Sequence, residues 1–171
     1  MSKRDLKKYL SELNNTQLQE QLIELYDKFI SVKTYYDFVF NPNENGLVKE
    51  AKLKISSEYF PIRGKKAKMR RSVAQKFIKH FITLGVDPFL IADVMLYNIE
   101  IAQTLSSERE IKTELFYKSM LTSFNQVIKF LIEKGILNDF KNRIVAIKDQ
   151  TLAQNWANHS DFNAIIERFE Y

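Results

Sequence analysis

The chain has 171 residues with 26 Lys and Arg against 21 Asp and Glu, a net charge of +5, and no cysteine. That length suits one domain with a sizeable core, and the lack of cysteine excludes disulfides, thiolate nucleophiles and Cys-based zinc or iron–sulfur sites. The charged start, Met1-Ser2-Lys3-Arg4-Asp5, leads into no apolar signal core, and nowhere do ~18 apolar residues follow one another, so the expectation is a cytoplasmic protein without a membrane span.

Four glycines and three prolines are too few for sheets rich in tight turns and favour helices joined by short links. Ser2 is placed to cap a first helix that carries Leu6, Leu10 and Leu13 on one face. Thr16 with Gln19 has capping-box spacing for the next. That helix carries Leu18, Leu22, Leu25, Phe29, Val32, Tyr36 and Val39 at alternating spacings of four and three, and ends before Pro42. Its flanks (Gln19, Gln21, Tyr26, Lys28, Lys33 and Tyr35) lack the complementary charges of a coiled coil, so the seam is expected to pack inside the chain's own bundle.

Asn41-Pro42-Asn43-Glu44-Asn45-Gly46 reads as a loop. A third helix follows with Leu47, Ala51, Ile55 and Tyr59 in register, closed by Pro61. The fourth presents Val73, Phe77, Phe81 and Leu84 on one face and stops at Gly85. Asp87-Pro88 then offers an N-cap and a proline at the first helical position. From Pro88 to about Leu105 the helix is apolar nearly all round, the mark of a central helix, with a polar stripe of Asp93, Tyr97, Glu100 and Thr104. Ser107 with Glu110 has capping-box spacing for a long helix ending at Gly135. Two shorter helices finish the chain, carrying Phe140, Ile144 and Ile147, then Phe162, Ile165, Ile166 and Phe169, the last with Ser160 as its cap. The expectation is an all-α chain, one compact bundle over residues 1–171 of about seven or eight helices. Phe77-Ile78-Lys79-His80-Phe81-Ile82 before Gly85 echoes Val127-Ile128-Lys129-Phe130-Leu131-Ile132 before Gly135. Two stacked helical hairpins of the solenoid type would produce the echo, and so would shared helix-and-stop chemistry.

Charge is divided unevenly. Residues 1–80 hold 17 basic and 9 acidic side chains, and residues 81–171 hold 9 and 12. Between Glu58 and Asp87 there is no acid, only Arg63, Lys65, Lys66, Lys68, Arg70, Arg71, Lys76 and Lys79. This stretch spans a loop and the start of a helix (residues 61–79), with Tyr59, Phe60 and Met69 among the cations. Aromatics beside cations suit contact with phosphates and stacked bases of RNA or DNA; an acidic protein surface would answer the same charges. A lipid surface would need exposed bulky apolar residues opposite the cations, and Val73, Phe77 and Phe81 are wanted for the core.

No metal or catalytic signature accompanies the charge. His80 and His159 stand far apart, with no His-x-x-x-His or Glu-x-x-His spacing. No glycine-rich phosphate loop and no Gly-x-Ser-x-Gly occurs. Asp93 and Glu100 share a helix face across Tyr97, and paired carboxylates in an apolar surround are raw material for acid–base chemistry. Salt bridges to Lys76 and Lys79 of the preceding helix are the simpler expectation. The sequence therefore points to a non-enzymatic binding module with no cofactor. Its contacts would be the eight cations, with a helical adaptor for an acidic partner as the alternative and a carboxylate enzyme a distant third.

Several phrases carry a resemblance: Met1-Ser2-Lys3-Arg4-Asp5-Leu6-Lys7-Lys8-Tyr9-Leu10, Tyr35-Tyr36-Asp37-Phe38-Val39-Phe40-Asn41-Pro42, Arg70-Arg71-Ser72-Val73-Ala74-Gln75-Lys76-Phe77-Ile78-Lys79-His80-Phe81 and Leu84-Gly85-Val86-Asp87-Pro88. Over most of its length the chain resembles a bacterial family known as a domain of unknown function. The resemblance implies no catalytic or binding residues.

Overall fold

A computed structural model describes residues 2–62 and 66–168. These residues form nine α-helices and one short 3-10 turn, with no strand among them. The all-α expectation holds, with slightly more helices than anticipated. The chain divides into two compact units, Met1–Asn43 and Glu44–Tyr171.

The first unit holds α1 (Lys3–Ser11), α2 (Asn15–Lys28) and α3 (Ile30–Phe40). Ser2 caps α1 in a capping box with Asp5: the Asp5 amide donates to Ser2 Oγ, and the Ser2 amide to Asp5 Oδ2. The box at the start of α2 is Asn14 with Gln17, two residues ahead of the expected Thr16 and Gln19. The long seam is also interrupted. Phe29 adopts extended backbone (φ −119°, ψ 110°) between α2 and α3. At this corner the Phe29 amide still donates to Leu25 O while its carbonyl accepts from Val32 and Lys33. Tyr26 ties the corner, its hydroxyl donating to Asp37 Oδ1 at 3.1 Å and accepting from Lys33 Nζ at 2.8 Å. Within this unit the seam expected to pack inside a bundle is not enclosed: no residue of the three helices is buried.

The second unit holds α4 (Glu44–Tyr59), α5 (Arg71–Leu84), α6 (Pro88–Glu108), α7 (Glu114–Lys134), the 3-10 turn Asn138–Phe140, α8 (Lys141–Ala153) and α9 (His159–Glu167). The helix α4 starts inside the expected loop, taking in Glu44, Asn45 and Gly46. Asp87 opens α6 by accepting from the Phe89 amide at 2.7 Å, with Pro88 at the first turn. As its apolar coverage requires, α6 is central, packing against α4, α5, α7 and α8. Its Ala92, Val94, Leu96, Ile99 and Ala102 are fully buried.

This helix outruns its expected end. Ser107 lies within α6 and donates to Thr104 O, so the expected Ser107–Glu110 box does not form, and α7 opens after Thr113 without a side-chain cap. Likewise Asn158, and not Ser160, precedes α9. Both glycine stops stand as expected. Gly85 (φ 77°) and Gly135 (φ 70°) adopt the left-handed conformation, which closes the same bonds in each: Val86 to Phe81 O and Ile136 to Leu131 O. The shared cap is the physical content of the echo between the two segments. Phe169 lies outside the described residues.

Candidate nucleic-acid interface

The basic stretch begins where α4 ends, and Glu58 organises it. Its carbonyl accepts from the amides of Lys68 (3.0 Å) and Met69 (3.1 Å), and its carboxylate takes Nε and Nη2 of Arg70, both at 2.8 Å. Hydrogen bonding from Arg70 holds the Glu58 carboxyl below the usual glutamate range, against the opposing pull of burial. The segment is thereby folded back onto α4, with Met69 at a positive φ of 52°.

The eight candidate cations then separate into three groups. Arg70 is committed to Glu58. Arg71, half-buried at the start of α5, cross-links α5 to α7 through Nε to Ser123 Oγ (2.8 Å) and Nη2 to Gln126 Oε1 (2.5 Å). Lys66 and Lys68 on the loop and Lys76 and Lys79 on α5 are exposed, and among the described residues no carboxylate lies within salt-bridge reach of them. Arg63 and Lys65 fall outside the described residues. The expected aromatic neighbours fare differently. Tyr59 is a core residue, 1 % exposed, its hydroxyl donating to Asn98 Oδ1 at 3.2 Å, and burial pushes its pKa up. It offers no face for stacking. Phe60 and Met69 are half-buried.

The carboxylate stripe of α6 meets cations, though not those expected from α5. Asp93 accepts from Lys52 Nζ of α4 at 2.6 Å and from Arg143 Nη1 of α8 at 2.9 Å. Arg143 also holds both oxygens of Glu100 at 2.8 Å. Two cations thus meet two anions, and Lys52 lies 5.1 Å from the centroid of the Tyr97 ring between them. Burial works to raise the Asp93 pKa, but hydrogen bonds and charge from Lys52 and Arg143 outweigh it and hold the carboxyl below its ordinary range. Both carboxylates are engaged in ion pairs with partners from other helices. Periodicity placed the carboxylates on one face but gave no sign of Arg143, because the partner comes from 43 residues beyond Glu100.

Among the described residues no group of three His, Asp or Glu side chains is arranged to hold a metal ion, and no helix is long and apolar enough to cross a membrane. The chain belongs to DUF6155, a family of unknown function whose model matches residues 1–170. No curated protein and no solved structure matches it.

Proposed function

We propose that this protein is a non-enzymatic helical binding module of the cytoplasm whose basic surface engages the phosphates of RNA or DNA. The observation that carries the reading is the set of unpaired lysines. Lys66, Lys68, Lys76 and Lys79 stand exposed and form no salt bridge among the described residues, Lys68 feeling the Glu58 charge only at longer range, whereas Lys52, Arg70 and Arg143 are neutralised within the fold. Unpaired surface lysines repel one another and gain most from a polyanion, which exchanges its condensed counterions for them. Arg63 and Lys65 belong to the same acid-free stretch and extend the expected contact set. Arg70 and Arg71 have structural duties and act by holding the segment in place. With Tyr59 in the core, phosphate contact dominates over base stacking, so the module discriminates little between sequences.

Fluorescence anisotropy with mixed-sequence RNA and DNA oligomers over a salt series tests this. Log affinity should fall linearly with log salt, by about 0.7 per phosphate contact for single strands or 0.9 for duplex. Changing Lys66, Lys68, Lys76 and Lys79 to Ser should flatten that slope and weaken all sequences alike. Absence of binding at about 50 mM salt, where phosphate contacts are strongest, would end the nucleic-acid reading and leave an acidic protein surface as the partner.

A further inference from the structure

Arg71 is a cation that the fold half-buries without an anion. Its Nε donates to Ser123 Oγ and its Nη2 to Gln126 Oε1, both neutral acceptors, and Nη1 has no acceptor among the described residues. No carboxylate of those residues forms a salt bridge with it, whereas Arg70 and Arg143 each hold at least one. Burial pulls its pKa below the ordinary arginine value, with Tyr59 as the opposing influence. That phenol is itself pushed up by burial and stays neutral near physiological pH. A cation withdrawn from water without a counter-charge is costly, and an anion brought to it recovers part of that cost.

Arg71 lines a small pocket, about 270 Å³ in volume, where segment 68–71 meets the start of α7. Lys68, Thr113 and Ser119 add to its polar lining, Met69 and Leu115 to its apolar lining, and no acid is among the described residues around it. All of them belong to the Glu44–Tyr171 unit. Lys68 is exposed and its amide is tied to Glu58 O at 3.0 Å, so this second cation stands on an anchored segment. The Thr113 side chain makes no cap bond to α7, which leaves its hydroxyl to a ligand.

Two cations and a hydroxyl around a cavity of this size fit one phosphate group, with apolar side chains for the atoms next to it. The volume falls below the ~300–1,000 Å³ of drug-sized ligand sites and is too small for a run of backbone. A strand passing by offers its diesters to the exposed lysines, but only an end enters a pocket. A phosphomonoester end also carries about two charges where a diester carries one, and a guanidinium fork matches its oxygens.

We propose that the pocket at Lys68, Arg71 and Thr113 binds a phosphomonoester, either the terminal phosphate of a nucleic-acid strand or that of a free nucleotide. Arg71 then adds ligand contact to its cross-link between α5 and α7. The strand form rests on the phosphate reading above; the nucleotide form does not.

Fluorescence anisotropy compares one internally labelled single-stranded sequence carrying a 5′-phosphate, a 3′-phosphate or hydroxyls at both ends. Calorimetry with adenosine 5′-monophosphate, and adenosine as control, tests the free nucleotide. For a strand end, one phosphorylated oligomer should bind roughly tenfold tighter than the hydroxyl oligomer, the scale of a charge-assisted contact. Arg71→Met should abolish that ratio and Lys68→Ser should reduce it, while Lys76→Ser with Lys79→Ser should weaken every oligomer and preserve it. For a free nucleotide, the monophosphate should bind and adenosine should not, with the same dependence on Arg71. Emission of the buried Trp156 reports whether Arg71→Met is folded; if it is not, Lys68→Ser, at an exposed side chain, decides by the same ratio. Equal binding of all three oligomers, with no binding of the monophosphate, would overturn the pocket and leave the surface reading intact. Monophosphate binding that is lost with Arg71, without binding of any oligomer, would overturn the surface reading and leave the pocket. A folded Arg71→Met that keeps the full preference for phosphate would also overturn the proposal.

Discussion

Arg143 grips Glu100 through two parallel bonds, Nε to Oε1 and Nη2 to Oε2, each 2.8 Å long. The same guanidinium reaches Asp93 with Nη1, so one side chain from α8 spans two turns of the central helix and clamps both its carboxylates. A fork of this shape matches a carboxylate plane as a lysine cannot.

Replacing Arg143 with Met leaves Glu100 without a partner and Asp93 with Lys52 alone. The three side chains are each about one-third exposed, so solvent screens much of the interaction, and the expected loss is about 1–2 kcal/mol, between the exposed and buried limits. Urea unfolding measures it. Arg143→Lys should recover only part of the loss, since an ammonium cannot reproduce the fork. Full recovery by Lys would reduce the clamp to a simple charge contact.

The same cluster fixes a pH dependence. The Asp93 carboxyl titrates below its unfolded value in the native state, so its contribution is fully present above the unfolded pKa, near pH 4. Below that the unfolded chain binds the proton first, and stability falls as pH drops through the folded pKa. Glu58 shifts in the same direction and adds to the acid slope. Asp93→Asn should therefore unfold with a shallower loss between pH 5 and pH 3 than the parent, measured by denaturant midpoints. An identical slope would show that Asp93 is not held as described.

Arg70 and Arg71 illustrate how much was legible in the sequence. Local rules worked where a residue acts on its own backbone. Gly85 and Gly135 stop helices because their φ is positive, Asp87 and Pro88 open α6, and the apolar coverage of α6 placed it at the centre. Cap assignments slipped by a few residues at Thr16, Ser107 and Ser160, because several Ser, Thr and Asn lie near each helix start and tertiary packing selects among them. Composition alone made the eight cations one surface; Glu58, Ser123 and Gln126, which take Arg70 and Arg71 out of it, are contacts that no local pattern encodes. The corner at Phe29 gave no warning either, since the apolar spacing runs through it without Gly or Pro. Trp156, buried against Phe116, Tyr117 and Phe162, sits between helices where periodicity is silent.

These roles predict a split among the cations in stability measurements. Arg71→Ala loses its bonds to Ser123 and Gln126 and should cost about 1–2 kcal/mol, because its head is half-buried. Arg70→Ala should cost less than about 1 kcal/mol, its side chain being half exposed. Lys76→Ser and Lys79→Ser, at exposed residues that form no salt bridge, should stay within about 0.5 kcal/mol of the parent. Denaturant midpoints that rank the lysines with Arg71 would contradict the placement of these side chains.

Gly85 and Gly135 allow a cleaner test of the shared cap. A Cβ added at either meets nothing within 4 Å, so Gly→Ala at each site carries the backbone penalty alone, about 1–2 kcal/mol for an L-residue in the left-handed region. The two losses should be similar, and they should add in the double variant unless the α5 and α7 ends are coupled. Thermal melts of the two single variants and the double variant settle the matter; a near-zero effect at either site would mean its helix ends in another conformation.

The two units should differ most in amide hydrogen exchange. Leu96 and Ile99 are fully buried in the middle of α6, with helices packed on several sides, so the amides there should open only through unfolding of the whole Glu44–Tyr171 unit. Helices α1 to α3 bury no residue and have little to hold them against local opening in a single chain. Their amides should exchange well ahead of those of α6 at low protein concentration. Leu96→Ala, which removes buried methyl groups at the centre of the core, should lower the stability of the Glu44–Tyr171 unit by about 2–5 kcal/mol and speed exchange in α6 by the matching factor. Protection in α6 no greater than in α2 would place the core elsewhere.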